Sequence, residues 1–233
     1  MASRTRPEQL PLHLPLQAAQ AREDLIVGPS NTHAVEFLDS WPQWPTRIAI
    51  LAGPTGSGKS HLAQIWASRS EARFLDPSLD SPDDPSIGSV VVEDIAQGNF
   101  AESWLFHLIN TLRANGGDLL LTSRRWPSDW GIVLPDLQSR MKTAHLMEIS
   151  EPDDMLLAGV LTKLFADRQV EVDPSVIEYL VTRMERSLAS AQEMVERLDV
   201  LSLAEKRAVT RPLVAEALRQ MGLQGSAFAI SEE

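Results

Sequence analysis

A chain of 233 residues, 43% of them hydrophobic, holds enough apolar material for one substantial core or two unequal domains. The absence of cysteine excludes a disulfide framework and a thiolate zinc site, and a formal charge of −11 argues against autonomous, non-specific binding to nucleic-acid phosphates. No stretch approaches the ~20 apolar residues of a membrane span, and the N-terminus lacks a secretory apolar run, so the expectation is a cytoplasmic protein with no membrane partner.

Residues 1–20 read as an extended arm. In "PEQLPLHLPLQ", Leu10, Leu12, Leu14 and Leu16 alternate with Gln9, Pro11, His13 and Pro15. Prolines at 11 and 15 remove backbone donors and disfavour a central strand. Two uses remain: an edge strand folded back on the domain, or an exposed arm offering alternate side chains to a partner's pockets.

Patterned sequence begins near Leu25, and residues 21–150 read as an α/β nucleotide-binding domain. "RIAILA" (47–52) is a buried strand followed by a glycine cluster, and "KSHLAQIWASR" is a helix with Leu62, Ile65 and Trp66 on one side. Next come an exposed Pro/Asp/Ser connection (76–88), the strand "SVVVED", and an amphipathic helix ending in a left-handed cap at Asn115-Gly116. "DLLLTS" and "HLMEIS" are two more strands. Strands alternating with helices imply a parallel sheet covered on both faces.

Beyond Ser150 the pattern is helical only. Ser150 is a candidate N-cap for a helix with apolar residues at 157, 160, 161, 164 and 165, and further helices are expected near 174–184, 190–203 and 211–221. This gives a small all-helical domain over 151–222 and a flexible tail over 223–233.

The strongest chemical signal is "GPTGSGKS": Gly53, Pro54, Thr55, Gly56, Ser57, Gly58, Lys59 and Ser60 fit G-x-x-x-x-G-K-[ST], between a strand and a helix. Its glycines let backbone N–H groups curl around phosphates, Lys59 reaches the β- and γ-phosphates, and Ser60 is placed for Mg²⁺. His61 follows at the helix start. A P-loop needs a neighbouring strand whose carboxylates manage metal and water, and "VVVED" supplies Glu93 and Asp94. Glu93 stands where an aspartate is usual, one methylene longer but still long enough to reach the metal; Ser60 and Glu93 are the candidate metal ligands.

The segments "DLIVGPSNTHAVEFL", the P-loop, "VVVEDI", "LLLTSRRWPSDW" and "LPDLQSRMKTAHLMEISEPD" occur in an order that resembles the AAA+ module of the DnaA/Hda family of replication proteins, over roughly residues 9–220. The resemblance implies a P-loop AAA+ parallel sheet flanked by helices, with a small all-helical lid domain. It also implies bound ADP or ATP with Mg²⁺, and contact of Leu25, Ile26 and Val27 with base and ribose. Arg140, in "LPDLQSRM", matches the family's arginine finger, a fixed cation offered to a neighbour's nucleotide. Three positions depart from the pattern: Glu93; Arg124, where the family carries a polar or acidic residue; and Ala189, where a lid arginine usually points at the nucleotide. Arg186, one turn earlier, is the candidate substitute. Weak or absent ATP turnover by the chain alone is the expectation.

The chain ends where a DnaA-type protein would continue into a DNA-binding helix-turn-helix domain. Together with the leucine-rich arm, this resembles the regulatory branch of the family. Gln9, Leu12 and Leu14, with Leu10, then match the Gln-x-x-Leu-x-Leu spacing of peptides that dock on the DNA polymerase sliding clamp (β subunit). The implied function is negative regulation of replication initiation. A nucleotide-bound adaptor would sit on the DNA-loaded clamp, touch DNA only through it, and promote hydrolysis of DnaA-bound ATP; self-association is a further expectation. The alternative is a self-contained P-loop ATPase acting as a replication remodelling or loading factor.

Overall fold

The computed structural model describes Arg22 and residues 25–95 and 100–228; the leucine-rich arm with Gln9, Leu10, Leu12 and Leu14 lies outside the described residues. Five parallel strands form the sheet: β1 (Ile48–Ala52), β2 (Arg73–Phe74), β3 (Val90–Val92), β4 (Leu119–Ser123) and β5 (His145–Glu148), in the order β2-β3-β4-β1-β5. β1 is central, with Ile50 opposite Leu121 on one side and Leu146 on the other. Its buried residues, like those of β3 and Leu119–Leu121 of β4, form a continuous apolar run because helices cover both faces.

Side chains divide between the two faces by alternation along each strand. Ile50, Val90, Val92, Leu119 and Leu121 pack with Leu105 and Leu108 of α3 (Glu102–Asn115) and Leu137 of α4 (Pro135–Thr143). Ala49, Leu51, Val91 and Leu120 face the other way, onto Val35 and Leu38 of α1 (Thr32–Asp39) and Leu62, Ala63 and Trp66 of α2 (Lys59–Ser70). On that side the segment 41–45 is anchored by aromatic packing. Trp44 stacks on Trp66 at 5.0 Å between centroids, and Trp41 Nε1 donates to Asp118 Oδ2 at 3.0 Å.

The remaining helices are α5 (Asp154–Asp167), α6 (Pro174–Val181), α7 (Leu188–Glu205) and α8 (Arg211–Phe228). They bury their own cluster, including Leu157, Leu161, Phe165, Leu180, Val195, Leu198 and Val214. The apolar stripe expected on α5 is thus the seam of a separate core.

Several boundaries differ from the sequence reading. The cap of α5 is Asp153, whose Oδ1 accepts from Leu156 N–H at 2.8 Å, and not Ser150. Pro152 lies between the two, and the residue before a proline is driven out of helical geometry, so the helix can start only after it. α7 begins at Leu188 behind a Ser187 cap, two residues earlier than expected, and α8 runs through Phe228. The two-residue edge strand β2 is too short and too exposed to show an alternating pattern. The cap after α3 is as expected, with Gly116 at φ +74.

Candidate nucleotide-binding site

The P-loop leaves the end of β1 under tight control. Gly53 N–H donates to Ser123 O at 3.1 Å, and a Cβ on Gly53 would stand 2.2 Å from Ile149 O, so only glycine passes between β4 and the chain after β5. Gly56 (φ +74) and Gly58 (φ +98) adopt the left-handed backbone that L side chains avoid, and Gly58 leads directly into α2. The turn therefore delivers the N-terminus of a twelve-residue helix, with its unsatisfied N–H groups, to the mouth of the loop.

Lys59, the first residue of α2, is buried. Its Nζ donates to Gly53 O at 2.8 Å and to Pro54 O at 2.6 Å, both carbonyls of the loop itself. Burial pushes its ammonium below the usual lysine range; Asp94 pulls it back up, Arg124 pushes it further down, and Glu93 pulls it up. Lys59 thus feels the charges of both acids that follow β3 and of Arg124. Ser57 is buried with a hydroxyl that has no hydrogen-bond partner among the described residues. An ammonium held, among the described residues, by two loop carbonyls, a hydroxyl without a partner there and a helix N-terminus make a donor set suited to phosphate.

A cleft of about 430 Å³ opens from this loop between the sheet domain and helices α5 and α7. Gly56, Ser57, Gly58, Lys59, Ser60 and His61 line its floor; Leu25 and Ile26 line one wall. Val27, 45% exposed, is not among the lining residues. Gly159 of α5 stands against Ile26, where an added Cβ would meet its methyls at 3.4 Å. From α7, Leu188 N–H donates to Gly56 O at 2.7 Å. The helical part is therefore seated on the P-loop itself.

The lid side holds residues that sequence reasoning missed. Lys163 and Arg168 of the α5 end line the cleft, with Asp167, which accepts from Lys163 at 3.2 Å, between them. The signal was available: these residues flank the apolar stripe of α5. Which flank faces the nucleotide cleft depends on how the lid docks, and that is not written in the helix's own period. Ala189 and Gln192 line the cleft from α7. Arg186, the sequence-level candidate for a lid cation, does not; it is half exposed and ion-paired with Asp154 at 2.7 Å. It precedes the Ser187 cap instead of riding on the helix, so the expected shared face with residue 189 does not exist.

Glu93 is exposed at the end of β3. Asp94 is half-buried, carries a φ of +49, and donates its N–H to Thr122 Oγ1 at 2.9 Å. A non-glycine residue at positive φ is costly and marks a position fixed by its surroundings. Arg124, just past β4, reaches Asp94 Oδ2 at 2.8 Å.

Arg140 is not in this cleft. It lies in the last turn of α4, donates to Asn110 Oδ1 at 2.7 Å, and stands 4.7 Å over the Phe106 ring. The surface hollow it lines also includes Arg47, Ile48, Gly117 and Leu119, at the starts of β1 and β4. The P-loop follows the end of β1, so Arg140 is separated from it by about the length of the strand, ~16 Å.

Residues 157–218 match the family model described as Hda, lid domain. The chain is also 23% identical, over a 244-residue alignment, to the chromosomal replication initiator protein DnaA of Thermomicrobium roseum, covering 91% of this chain and 51% of that one. The lid-domain match and the likeness to DnaA in sequence and fold together support a DnaA/Hda-family AAA+ protein. The chain spans about half the length of that DnaA relative. A protein of Haemophilus influenzae described as uncharacterized is 26% identical over 184 residues, covering 71% of this chain and 79% of that one. Among solved structures, domain III of Thermotoga maritima DnaA superposes with a TM-score of 0.74 at 18% identity, covering 89% of this chain and 98% of that one. AMPPCP-bound DnaA from Aquifex aeolicus follows at 0.65 and 19%, covering 79% and 66%. A mutant RuvB of Thermotoga maritima reaches 0.65 at 18% identity, covering 83% and 70%, so the fold is shared with proteins beyond DnaA. No helix of the described residues is long and apolar enough to cross a membrane.

Proposed function

We propose that this DnaA/Hda-family protein is a DnaA-related replication regulator that binds ADP or ATP with Mg²⁺ in the P-loop cleft and acts on DnaA in trans. Gly53 to Ser60 would hold the phosphates, Leu25 and Ile26 the base and ribose, and Ser60 with Glu93 the metal ion. Lys59 would exchange its two loop carbonyls for phosphate oxygens.

The observation that carries the reading is the position of Arg140. It stands at the opposite end of the strands from the protein's own P-loop, held half-buried by Asn110 and Phe106. A guanidinium there serves no phosphate bound in cis. Offered across an interface to ATP on DnaA, it would stabilise the charge that develops as the terminal phosphate leaves. The arm, through Gln9, Leu10, Leu12 and Leu14, would tether the protein to the DNA-loaded sliding clamp in the cytoplasm, and DNA would be touched through the clamp. The result is negative regulation of replication initiation by conversion of DnaA to its ADP form.

The test is to mix the protein with ATP-loaded DnaA, clamp and DNA and to follow DnaA-bound nucleotide. Faster conversion of ATP to ADP, lost with Arg140→Ala and with the pair Gln9→Ala and Leu12→Ala, supports the reading. No acceleration, or acceleration indifferent to Arg140, rules it out.

A further inference from the structure

Arg124 and Asp94 meet beside the P-loop lysine. Arg124 Nη2 lies 2.8 Å from Asp94 Oδ2, and the two groups act on Lys59 in opposite senses. Asp94 has little freedom to turn away. Its backbone is held at φ +49, and its N–H is engaged by Thr122 Oγ1 on the neighbouring strand. Arg124 itself follows Ser123, whose hydroxyl is tied to Arg125 O at 2.8 Å and accepts from Arg125 N–H at 3.0 Å, so the chain carrying the guanidinium is fixed at its root.

We infer that Arg124 is a positioning residue that holds Asp94 in an ion pair and so silences ATP hydrolysis by this chain in cis while leaving nucleotide binding intact. The inference rests on the nucleotide-binding reading above. In hydrolysis, the oxygen of a water bonds to the terminal phosphorus as the bond from that phosphorus to the bridging oxygen breaks. The electron pair leaves on the diphosphate, and a carboxylate takes a proton from the water. Asp94 follows β3 at the end of the sheet from which the P-loop leaves: its N–H is bonded to Thr122 Oγ1, and the next residue of β4, Ser123, accepts from Gly53 N–H of the loop. A carboxylate whose Oδ2 is held at 2.8 Å by a guanidinium is not free to turn that oxygen toward an attacking water or a hydrated Mg²⁺. Glu93, exposed beside it, remains to approach the metal. The cleft thus retains its binding elements, while the second acid after β3 is engaged.

The experiment compares the full chain with Arg124→Asn, Arg124→Lys and the double variant Arg124→Asn/Asp94→Asn. Fluorescent ADP and ATP analogues report binding, phosphate release reports turnover, and Mn²⁺ titration in the presence of AMPPCP reports metal affinity. Arg124→Asn should raise turnover about tenfold or more and tighten Mn²⁺ binding. Arg124→Lys, which keeps a cation at Asp94, should stay as quiet as the parent, and the double variant should lose the gain. Turnover by Arg124→Asn no higher than the parent, a gain that survives loss of Asp94, or unchanged Mn²⁺ affinity each overturns the inference with the nucleotide-binding reading left standing. Failure of the parent chain to bind either analogue overturns both.

Discussion

Leu188 and Gly56 are joined by a backbone hydrogen bond of 2.7 Å that ties the start of α7 to the middle of the P-loop. The lid is thereby coupled to the phosphate cradle through the loop's own backbone, with no side chain of the missing lid arginine involved. Substituting a residue at this junction should disturb fold and ligand together.

Gly56→Ala is the sharpest probe of it. The φ of +74 is strained for alanine, and the added Cβ would stand 2.0 Å from Ser187 Oγ, a hydroxyl buried as the cap of α7. A loss of about 1–3 kcal/mol in urea unfolding is expected, with nucleotide affinity reduced at least tenfold. A variant as stable and as tightly binding as the parent would show that the lid does not rest on the loop.

Lys59 gives a pH signature. Its ammonium is buried and its pKa is lowered from 10.5, so in the folded chain it loses its proton at lower pH than in the unfolded one. As pH rises through that lowered value toward 10.5, the unfolded state holds more protons, and the penalty for burying the charge fades, so stability of the ligand-free protein attributable to this group increases. A bound phosphate reverses the shift. Binding of ADP at alkaline pH should therefore take up protons, read calorimetrically in buffers of different ionisation enthalpy, and Lys59→Ala should abolish both the uptake and most of the affinity.

Asn110 is expected to matter through Arg140. It accepts from the guanidinium at 2.7 Å and fixes its direction. Asn110→Ala should cost only about 1 kcal/mol in stability. It should also slow DnaA-directed ATP hydrolysis severalfold and leave the protein's own nucleotide binding unchanged. Equal slowing of both would mean that Arg140 is not acting alone on a separate surface.

Asp153→Ala removes the side-chain cap of α5 at Leu156 N–H. A loss of about 1 kcal/mol is expected in thermal unfolding. Ser150→Ala should leave the midpoint within experimental scatter. The reverse ranking would restore the earlier helix start.

Much of the nucleotide cradle was legible because it is local: strand, loop, lysine and helix are consecutive from Arg47 to Ser70, and the spacing itself enforces the geometry. The sheet was legible for the related reason that β1, β3 and the first three residues of β4 are buried on both faces and are apolar, with Thr122 and Ser123 the buried polar end of β4. What could not be read lies where distant segments meet. Lys163 and Arg168 reach the cleft only because α5 docks against Ile26, and Arg186 leaves it because the chain turns at Ser187 and because Asp154 lies close by to pair with it. The Arg124–Asp94 pair joins residues thirty positions apart on neighbouring strand ends, so its residues were visible separately and their contact was not.

The aromatic cluster over α2 has a practical consequence. Trp66 is buried on the same helix that begins with Lys59, and it lies under Trp44 and edge-on to Trp41. Seven helical steps take the chain from the lysine to the indole, about 10 Å along a rigid rod. A rearrangement of the loop when phosphate displaces Lys59 from its carbonyls would be transmitted along that rod into a stack of indoles, altering their ultraviolet emission. Tryptophan emission is therefore expected to change when ADP is added, with no dye needed, and to stay constant in Lys59→Ala.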